Sequence, residues 1–413
     1  MKLLVSAFSC CPGLGSEPGV GWHTVEELAR EHEVWVLVNE STAGDVRGKI
    51  AAAALPRVHV SFVGIPWFSR LVEGPLNNGL GWLVYYHLWQ AVQMITAWRL
   101  HRRERFDACQ HVTYVKYNTP SFLHLLGIPF IWGPVGGAER APAVFYREFG
   151  WKTRLAEAAR VLLQRAALAD PLLHWCNRRS HLALAVTEQT AAEMRWLGAR
   201  HIEVMPAVAL SDEELTALSQ EGQRAGAGPP VLLYVGRLIP WKGAHLGLRA
   251  IAASANKELR FRIIGDGPLR GFLEAEARRL GIAHRVEFSG NLPREEVLRA
   301  YASADGFLFP SLHDSGGNAV IEAMAAGLPV LCLRYGGPDL LVAEGCGWKV
   351  AAGNPEQAVA GLAEVLNAFA ADPVERRRRG KEAQRHVRCE HSWTGRGRAL
   401  RAVYARLRNE LRG

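Results

Sequence analysis

The chemistry in this sequence concentrates where cations, carboxylates and glycines follow short apolar runs. Arg237 and Lys242 lie in Tyr234-Val235-Gly236-Arg237-Leu238-Ile239-Pro240-Trp241-Lys242-Gly243. The planar Arg fork and the Lys point charge together suit a diphosphate, although an isolated pair of this kind is usually just solvated. Further on, Phe309-Pro310-Ser311-Leu312-His313-Asp314-Ser315-Gly316-Gly317-Asn318 leads into a helical pattern carrying Glu322. Unpaired N–H groups at a helix start can meet a phosphate. Asp314 and Glu322 can accept hydrogen bonds from sugar hydroxyls, against a background in which helix carboxylates are mostly solvated. An earlier loop, Pro12 to Trp22, holds Gly13, Gly15, Gly19 and Gly21 between a strand and a helix. Its backbone can approach an anion or a sugar closely, or simply turn the chain. With Glu40 ending the next strand, it also fits a dinucleotide reading in which that acid holds a ribose. A further Gly loop, Trp132-Gly133-Pro134-Val135-Gly136-Gly137-Ala138-Glu139, either shapes an acceptor site with Glu139 or turns the chain.

Parallel sheets covered by helices would position such loops, and the chain alternates apolar runs with helical patterns in that way. One series passes through 2–8, 33–38, 58–63, 130–132 and 182–186, and a second through 231–235, 261–264, 286–289, 306–309 and 330–333. The polar, Gly-rich stretch 209–229 reads as a linker. The expected domains are therefore 1–208 and 230–390, both doubly wound α/β, followed by a C-terminal helix over 391–413. In that helix Leu400, Val403, Tyr404, Leu407 and Leu411 recur at helical spacing. Ligands of doubly wound domains bind at the carboxyl ends of the strands.

At 413 residues, 49% hydrophobic and 22% charged, the composition excludes disordered, collagen-like and coiled-coil classes. The formal charge of +9 favours phosphorylated ligands, polyanions or anionic lipid without choosing among them. Seven scattered cysteines without a C-x-x-C pair argue against a disulfide framework or zinc site and fit a reducing compartment. The run Met1 to Phe8 is too short for a signal-peptide core and reads as a first strand. Leu80 to Trp98 reads as a helix that does not span a membrane, because His87, Gln90 and Gln93 interrupt it. Its aromatic face of Trp82, Tyr85, Tyr86 and Trp89 reads first as core packing; with Arg99, Arg102, Arg103 and Arg105, contact with an anionic membrane is the alternative. Arg376 to Arg379 read as a solvated helix face.

Gly236-Arg237 with Lys242-Gly243, Ile264-Gly265-Asp266-Gly267-Pro268, Phe288-Ser289-Gly290, Ala304-Asp305, Phe309-Pro310-Ser311 and Glu322-Ala323-Met324-Ala325-Ala326-Gly327-Leu328-Pro329-Val330 follow in an order that resembles the family 4 retaining glycosyltransferases of GT-B fold. The resemblance covers nearly the whole chain and is most specific in its second half. It implies two Rossmann-like domains facing a cleft, the first binding acceptor and the second a nucleotide-diphosphate sugar, with the C-terminal helix crossing back to the first. Arg237 and Lys242 would bind the donor diphosphate and stabilise it as leaving group, and Glu322 would hold the ribose hydroxyls. Asp314 stands at the first acid of the family's E-x7-E motif, so a shorter carboxylate would face the donor sugar. Gly236, Gly265 and Gly267 would lie near the nucleotide. Ser315, Gly316, Gly317 and Asn318 would present N–H groups to the donor. Gly19 and Gly21 match the family's Gly loop, whose usual double glycine is split here by Val20. His111 looks like the histidine that touches the donor sugar.

No Asp-x-Asp pair occurs, so transfer without a metal or other cofactor is expected, with the two cations and a helix N-terminus supplying the positive field. The implied partners are the nucleotide-sugar donor and a glycan or lipid-linked acceptor in cell-surface polysaccharide or glycolipid synthesis. Nucleic acid is not expected, and the implied location is cytoplasmic, or peripheral at the inner face of a membrane. Two rivals stand beside this reading. One is a dinucleotide-dependent oxidoreductase using the first Gly loop and Glu40, which leaves Arg237, Lys242, Asp314 and Glu322 without a task. The other is a catalytically silent nucleotide-sugar-binding relative.

Overall fold

The computed structural model describes residues 1–413 except 14–15, 41–42, 54, 75–76, 78, 220–227 and 413. The chain forms two compact units. The first comprises Met1–Ala138, Leu162–Ala207 and Arg396–Gly413, and the second Glu139–Val161 and Val208–Gly395.

The first unit is built on strands β1 (Lys2–Ala7), β2 (Glu33–Asn39), β3 (Val58–Val63), β4 (Ala108–Thr113), β5 (Phe130–Val135), β6 (Leu182–Ala185) and β7 (Ile202–Val204). All run parallel in the order β3-β2-β1-β4-β5-β6-β7. Helices cover both faces of such a sheet, so its central strands are continuous apolar runs rather than alternating ones; Leu3, Leu4 and Val5 are fully buried. The long helix Gly79–Glu104 packs Tyr85, Tyr86 and Trp89 inward, the first of the two readings of its aromatic face. Phe8 meets the Tyr86 and Trp89 rings edge-on at 5.2 and 4.9 Å. The polar tips are satisfied inside: Trp89 Nε1 donates to the Val63 carbonyl at 2.8 Å and the Tyr85 hydroxyl to Asn39 Oδ1 at 2.8 Å.

The last helix, Trp393–Glu410, enters the first unit from Arg396 onward. It buries Leu400, Val403, Tyr404 and Leu407 while Leu411 stays exposed. The Tyr404 hydroxyl donates to Gln110 Oε1 at 2.8 Å. Arg401 pairs with the buried Glu27, which Arg30 also reaches at 3.0 Å. A Cβ on Gly397 would lie 1.8 Å from Glu27 Oε2, so glycine is what lets the helix come this close.

The second unit carries β8 (Val231–Val235), β9 (Arg260–Ile264), β10 (Val286–Gly290), β11 (Gly306–Phe309), β12 (Val330–Leu333) and β13 (Gly347–Val350), parallel in the order β10-β9-β8-β11-β12-β13. β4, β7 and β13 are absent from the two expected strand series; β4 is central and buried but carries Gln110, His111 and Thr113, which break its apolar run, whereas the other two lie at sheet edges. β7 and β13 are short and have half-buried residues, and an edge strand does not need a long apolar run. Part of the expected linker is the helix Asp212–Ser219, which buries Leu215 and Leu218. Ser211 and Glu214 cap its start reciprocally, at 3.1 and 2.9 Å. Residues 220–227, the rest of that stretch up to the approach to β8, lie outside the described residues.

Residues 139–161 fall within the expected first domain, 1–208, yet they pack on the second unit. Phe145 enters its core, edge-on to Tyr335 at 6.1 Å. Arg249 bridges Glu148 at 2.6 Å and Glu276 at 2.8 Å. The arginine run is also less solvated than expected: Arg376 and Arg379 are half-buried over the rings of Phe369 and Trp348, at 4.9 and 4.4 Å.

Glu27 is almost fully buried, so removing Arg401 leaves its carboxylate with the half-exposed Arg30 as its remaining partner among the described residues. Arg401→Met should lower unfolding free energy by about 3 kcal/mol, read as a drop in the urea midpoint of the first unit's transition. Arg30→Ala, whose side chain is half exposed, should cost well under that.

Candidate functional site

Three loops that leave β8, β9 and β11 at their carboxyl ends are pressed against one another, and glycines make the contacts possible. Gly265 has φ +129°, and a Cβ there would lie 2.1 Å from the Gly236 carbonyl oxygen. At Gly267 a Cβ would come within 2.5 Å of the Leu238 oxygen. Across this seam Gly236 N–H donates to Ile264 at 3.0 Å and Leu238 N–H to Asp266 at 2.9 Å. Gly236, Gly265 and Gly267 are therefore one structural unit, whichever ligand they serve.

The loop after β8 continues through the short turn Pro240–Lys242 onto the loop after β11. Gly243, at φ +71°, sits where a Cβ would be 1.9 Å from the Pro310 oxygen, and Leu312 N–H donates to the Trp241 carbonyl at 2.8 Å. This seats Lys242 Nζ 5.3 Å over the Phe309 ring and in a hydrogen-bonded ion pair with Asp314. Arg237, by contrast, is exposed, and among the described residues its guanidinium has no hydrogen-bond or ion-pair partner.

Asp314 differs from expectation in what it already holds. One carboxylate oxygen takes the Lys242 ammonium, and the other accepts from the N–H groups of Gly316 and Gly317, each at 3.2 Å. A short aspartate closes this kind of turn on its own loop, so two of the amides expected to face a donor are engaged by the protein. Gly337 N–H donates to the Asp314 carbonyl at 2.6 Å. The helix Asn318–Ala325 begins at Gly317, at φ +71°, with Asn318 exposed and Ser315 half-buried before it.

Glu322 lies one turn into that helix, whose other residues Val320, Ile321, Ala323 and Met324 enter the core. Its Oε1 accepts from Arg294 at 2.8 Å and its Oε2 from the Tyr301 hydroxyl at 3.0 Å. Burial raises its pKa above the ordinary carboxylate value, against the opposing pull of Arg294. The sequence reading missed Arg294 and Tyr301. They recur at i and i+7 on the helix Arg294–Ser303, a spacing that puts them on one face, but only the fold brings Glu322 to it.

Of the first-half site residues, Gly19 and Gly21 are placed differently from the loop in which the sequence reading has them. Gly19 and Gly21 lie inside the helix Ser16–Ala29. A Cβ on Gly21 would sit 2.3 Å from the Ser9 oxygen, so this glycine serves close helix-to-strand packing; Leu14 and Gly15 lie outside the described residues. His111 on β4 is buried, with Nδ1 2.7 Å from Ser121 Oγ and Nε2 3.3 Å from the Tyr86 hydroxyl. Burial draws its pKa down to about 3, so the ring is neutral and serves as a core hydrogen-bonding group. Glu40 pairs with Arg47 at 3.1 Å. Glu139 is fully buried and belongs to the second unit.

Residues 218–386 match the family model described as glycosyl transferases group 1. This stretch is similar to the group 1 glycosyl transferases. It contains Arg237, Lys242, Asp314 and Glu322 and the close contacts at Gly236, Gly243, Gly265 and Gly267. The 2-deoxystreptamine glucosyltransferase of Streptomyces kanamyceticus is 34% identical over 198 residues, 43% of this chain and 51% of that protein. A D-inositol 3-phosphate glycosyltransferase of Streptomyces avermitilis is 32% identical over 273 residues, 60% of this chain and 54% of that protein. The chain thus spans about half the length of the curated relatives it matches. The crystal structure of Anabaena Alr3699/HepE in complex with UDP and glucose aligns over 98% of this chain and 99% of that one, with a TM-score of 0.59 and 18% identity. The likeness in fold, two parallel-sheet α/β units, therefore extends beyond residues 218–386 to the whole chain.

The raised pKa of Glu322 has a consequence for stability. Between the ordinary carboxylate value and the raised one, the unfolded chain has lost this proton while the folded chain keeps it. Stability from this group therefore falls as pH climbs through that interval. Chemical denaturation from about pH 4 to about pH 7 should show wild type losing stability relative to Glu322→Gln; a constant gap between the two would remove the effect.

Proposed function

We propose that the chain is a retaining glycosyltransferase that moves a hexosyl group from a nucleotide-diphosphate sugar to a hydroxyl of a glycan or lipid-linked acceptor. The observation that carries this reading is the cation arrangement at the strand ends of the second unit. Arg237 is exposed with an unused guanidinium, while Lys242 nearby in sequence is charge-balanced by Asp314. A diphosphate would satisfy Arg237 directly and compete with the Asp314 carboxylate for Lys242. The similarity to the group 1 glycosyl transferases and the UDP complex of HepE support a sugar nucleotide as the donor. UDP is the first candidate for its nucleotide.

In this mechanism the bond between the sugar's anomeric carbon and the diphosphate oxygen breaks as the acceptor oxygen bonds to the same face of the sugar. The departing phosphate takes the acceptor's proton. Arg237 and Lys242 act on charge that grows as the bond breaks, the stage at which preorganised cations lower a barrier most. Glu322 holds the ribose hydroxyls in this reading, sharing its carboxylate between them and its present donors. No metal is required by the scheme, because the two cations supply the positive field beside the diphosphate.

Arg237→Ala should weaken UDP binding by about 2–3 kcal/mol, roughly 30- to 150-fold in Kd, and reduce transfer at least as much. Titration calorimetry reads the first and donor turnover the second; an unchanged Kd would remove the diphosphate site. A thermal-shift series with UDP, GDP, ADP, NAD and NADP, each with and without EDTA, tests the class. Stabilisation by one nucleoside diphosphate that survives EDTA supports the reading, and stabilisation by NAD or NADP alone overturns it in favour of a dinucleotide enzyme.

A further inference from the structure

The helix Gly79–Glu104 is apolar on its outer face as well as around Tyr85, Tyr86 and Trp89 inside. Beside those rings the buried face also carries two glutamines: Gln93 accepts from Ser6 Oγ at 2.6 Å, and Gln90 donates to the Pro120 carbonyl at 2.9 Å and accepts from Phe122 N–H at 3.2 Å. Every exposed position from 80 to 98 is apolar, the large ones being Leu80, Leu83, Val84, Leu88, Ile95 and Trp98. Together with the exposed Ala91 they recur on successive turns and draw one stripe about 27 Å long along the helix. Trp67, 66% exposed, adds to the apolar surface from the preceding helix Pro66–Glu73, which packs against this one.

The stripe ends in positive charge. Arg99, Arg102, Arg103 and Arg105 are all exposed, and the Arg102 guanidinium stacks 4.0 Å from the Trp98 ring. The acidic side chain within this stretch, Glu104, is paired with Lys2 at 3.3 Å. Among the described residues no helix is long and apolar enough to cross a membrane. A surface that is apolar along its length and basic at one end complements an interface that is apolar below and anionic above. We propose that this outer face lies on an anionic lipid bilayer, with Leu80 to Trp98 entering the acyl boundary and the arginines at the headgroups. A second protein copy would be matched to the apolar stripe but would leave the four clustered arginines opposite one another or in water. The inference stands on the first unit's surface alone and does not depend on the transferase reading.

Cosedimentation of the full chain with phosphatidylcholine vesicles, with and without phosphatidylglycerol, tests it. Wild type should sediment with the anionic vesicles and be released by raised salt. Val84→Glu with Ile95→Glu should weaken the partition at least tenfold while leaving circular dichroism and melting temperature unchanged, since both positions are exposed. Arg99→Gln with Arg102→Gln, which leaves the apolar stripe intact, should lower binding to anionic vesicles by about 20-fold at low salt. The proposal is overturned if wild type ignores anionic vesicles, if both double variants bind as wild type does, or if sedimentation velocity shows a dimer that Val84→Glu with Ile95→Glu makes monomeric.

Discussion

The ion pair between Lys242 and Asp314 joins two loops that lie 72 residues apart in the chain, and the candidate site depends on it. Both side chains are mostly enclosed, 19% and 13% exposed. Such a pair is costly to form and costlier to break from one side, because the remaining charge loses its partner without regaining water. Its geometry is set by neighbours with no charge at all. Gly243 allows the loop after β8 to touch Pro310, and Gly317 lets the chain turn so that two amides meet the second Asp314 oxygen. The electrostatics of the site thus rests on backbone contacts that no larger residue would permit.

That dependence explains what could be read from the sequence. The alternation of apolar runs and helical patterns was enough for two parallel sheets, since central parallel strands must be apolar on both faces. The cations and the Gly loops were visible because their types and their places after strands carry chemical meaning. Side-chain engagement was not visible. A carboxylate at position 314 reads the same whether it faces a ligand or holds its own loop, and only the 3.2 Å contacts to Gly316 and Gly317 distinguish the two. The same holds for His111, whose neighbours Ser121 and Tyr86 come from separate elements. Residues 139–161 show the limit at the level of fold. Phe145 and Phe149 announce that something will be buried, but not against which sheet.

The long helix Gly79–Glu104 shows a subtler limit. Aromatic residues there were expected to choose between core and surface, and they chose the core because Tyr and Trp tips found buried acceptors in Asn39 and Val63. Once those large rings and both glutamines are committed inward, the leucines have no interior left to occupy. Hydropathy alone ranks Leu above Gln for burial, so the pattern reads the wrong way round until hydrogen-bond partners are counted.

Placed side by side, Arg237 and Glu322 show where an incoming ligand finds unspent interactions in the second unit. Glu322 is enclosed and already accepts from a guanidinium and a hydroxyl, one on each oxygen, so a ligand hydroxyl would share a carboxylate whose charge is partly spent. Arg237 has its backbone carbonyl tied to the Tyr234 hydroxyl at 3.3 Å while its side chain remains in water. Its main chain is fixed and its charge is available, which is the combination that binds an anion with little reorganisation. A neutral ligand would leave that charge unused, and a carboxylate would fill only one fork. A diphosphate has oxygens enough to take the fork of Arg237 and a share of Lys242, and it brings the negative charge that Asp314 now supplies alone.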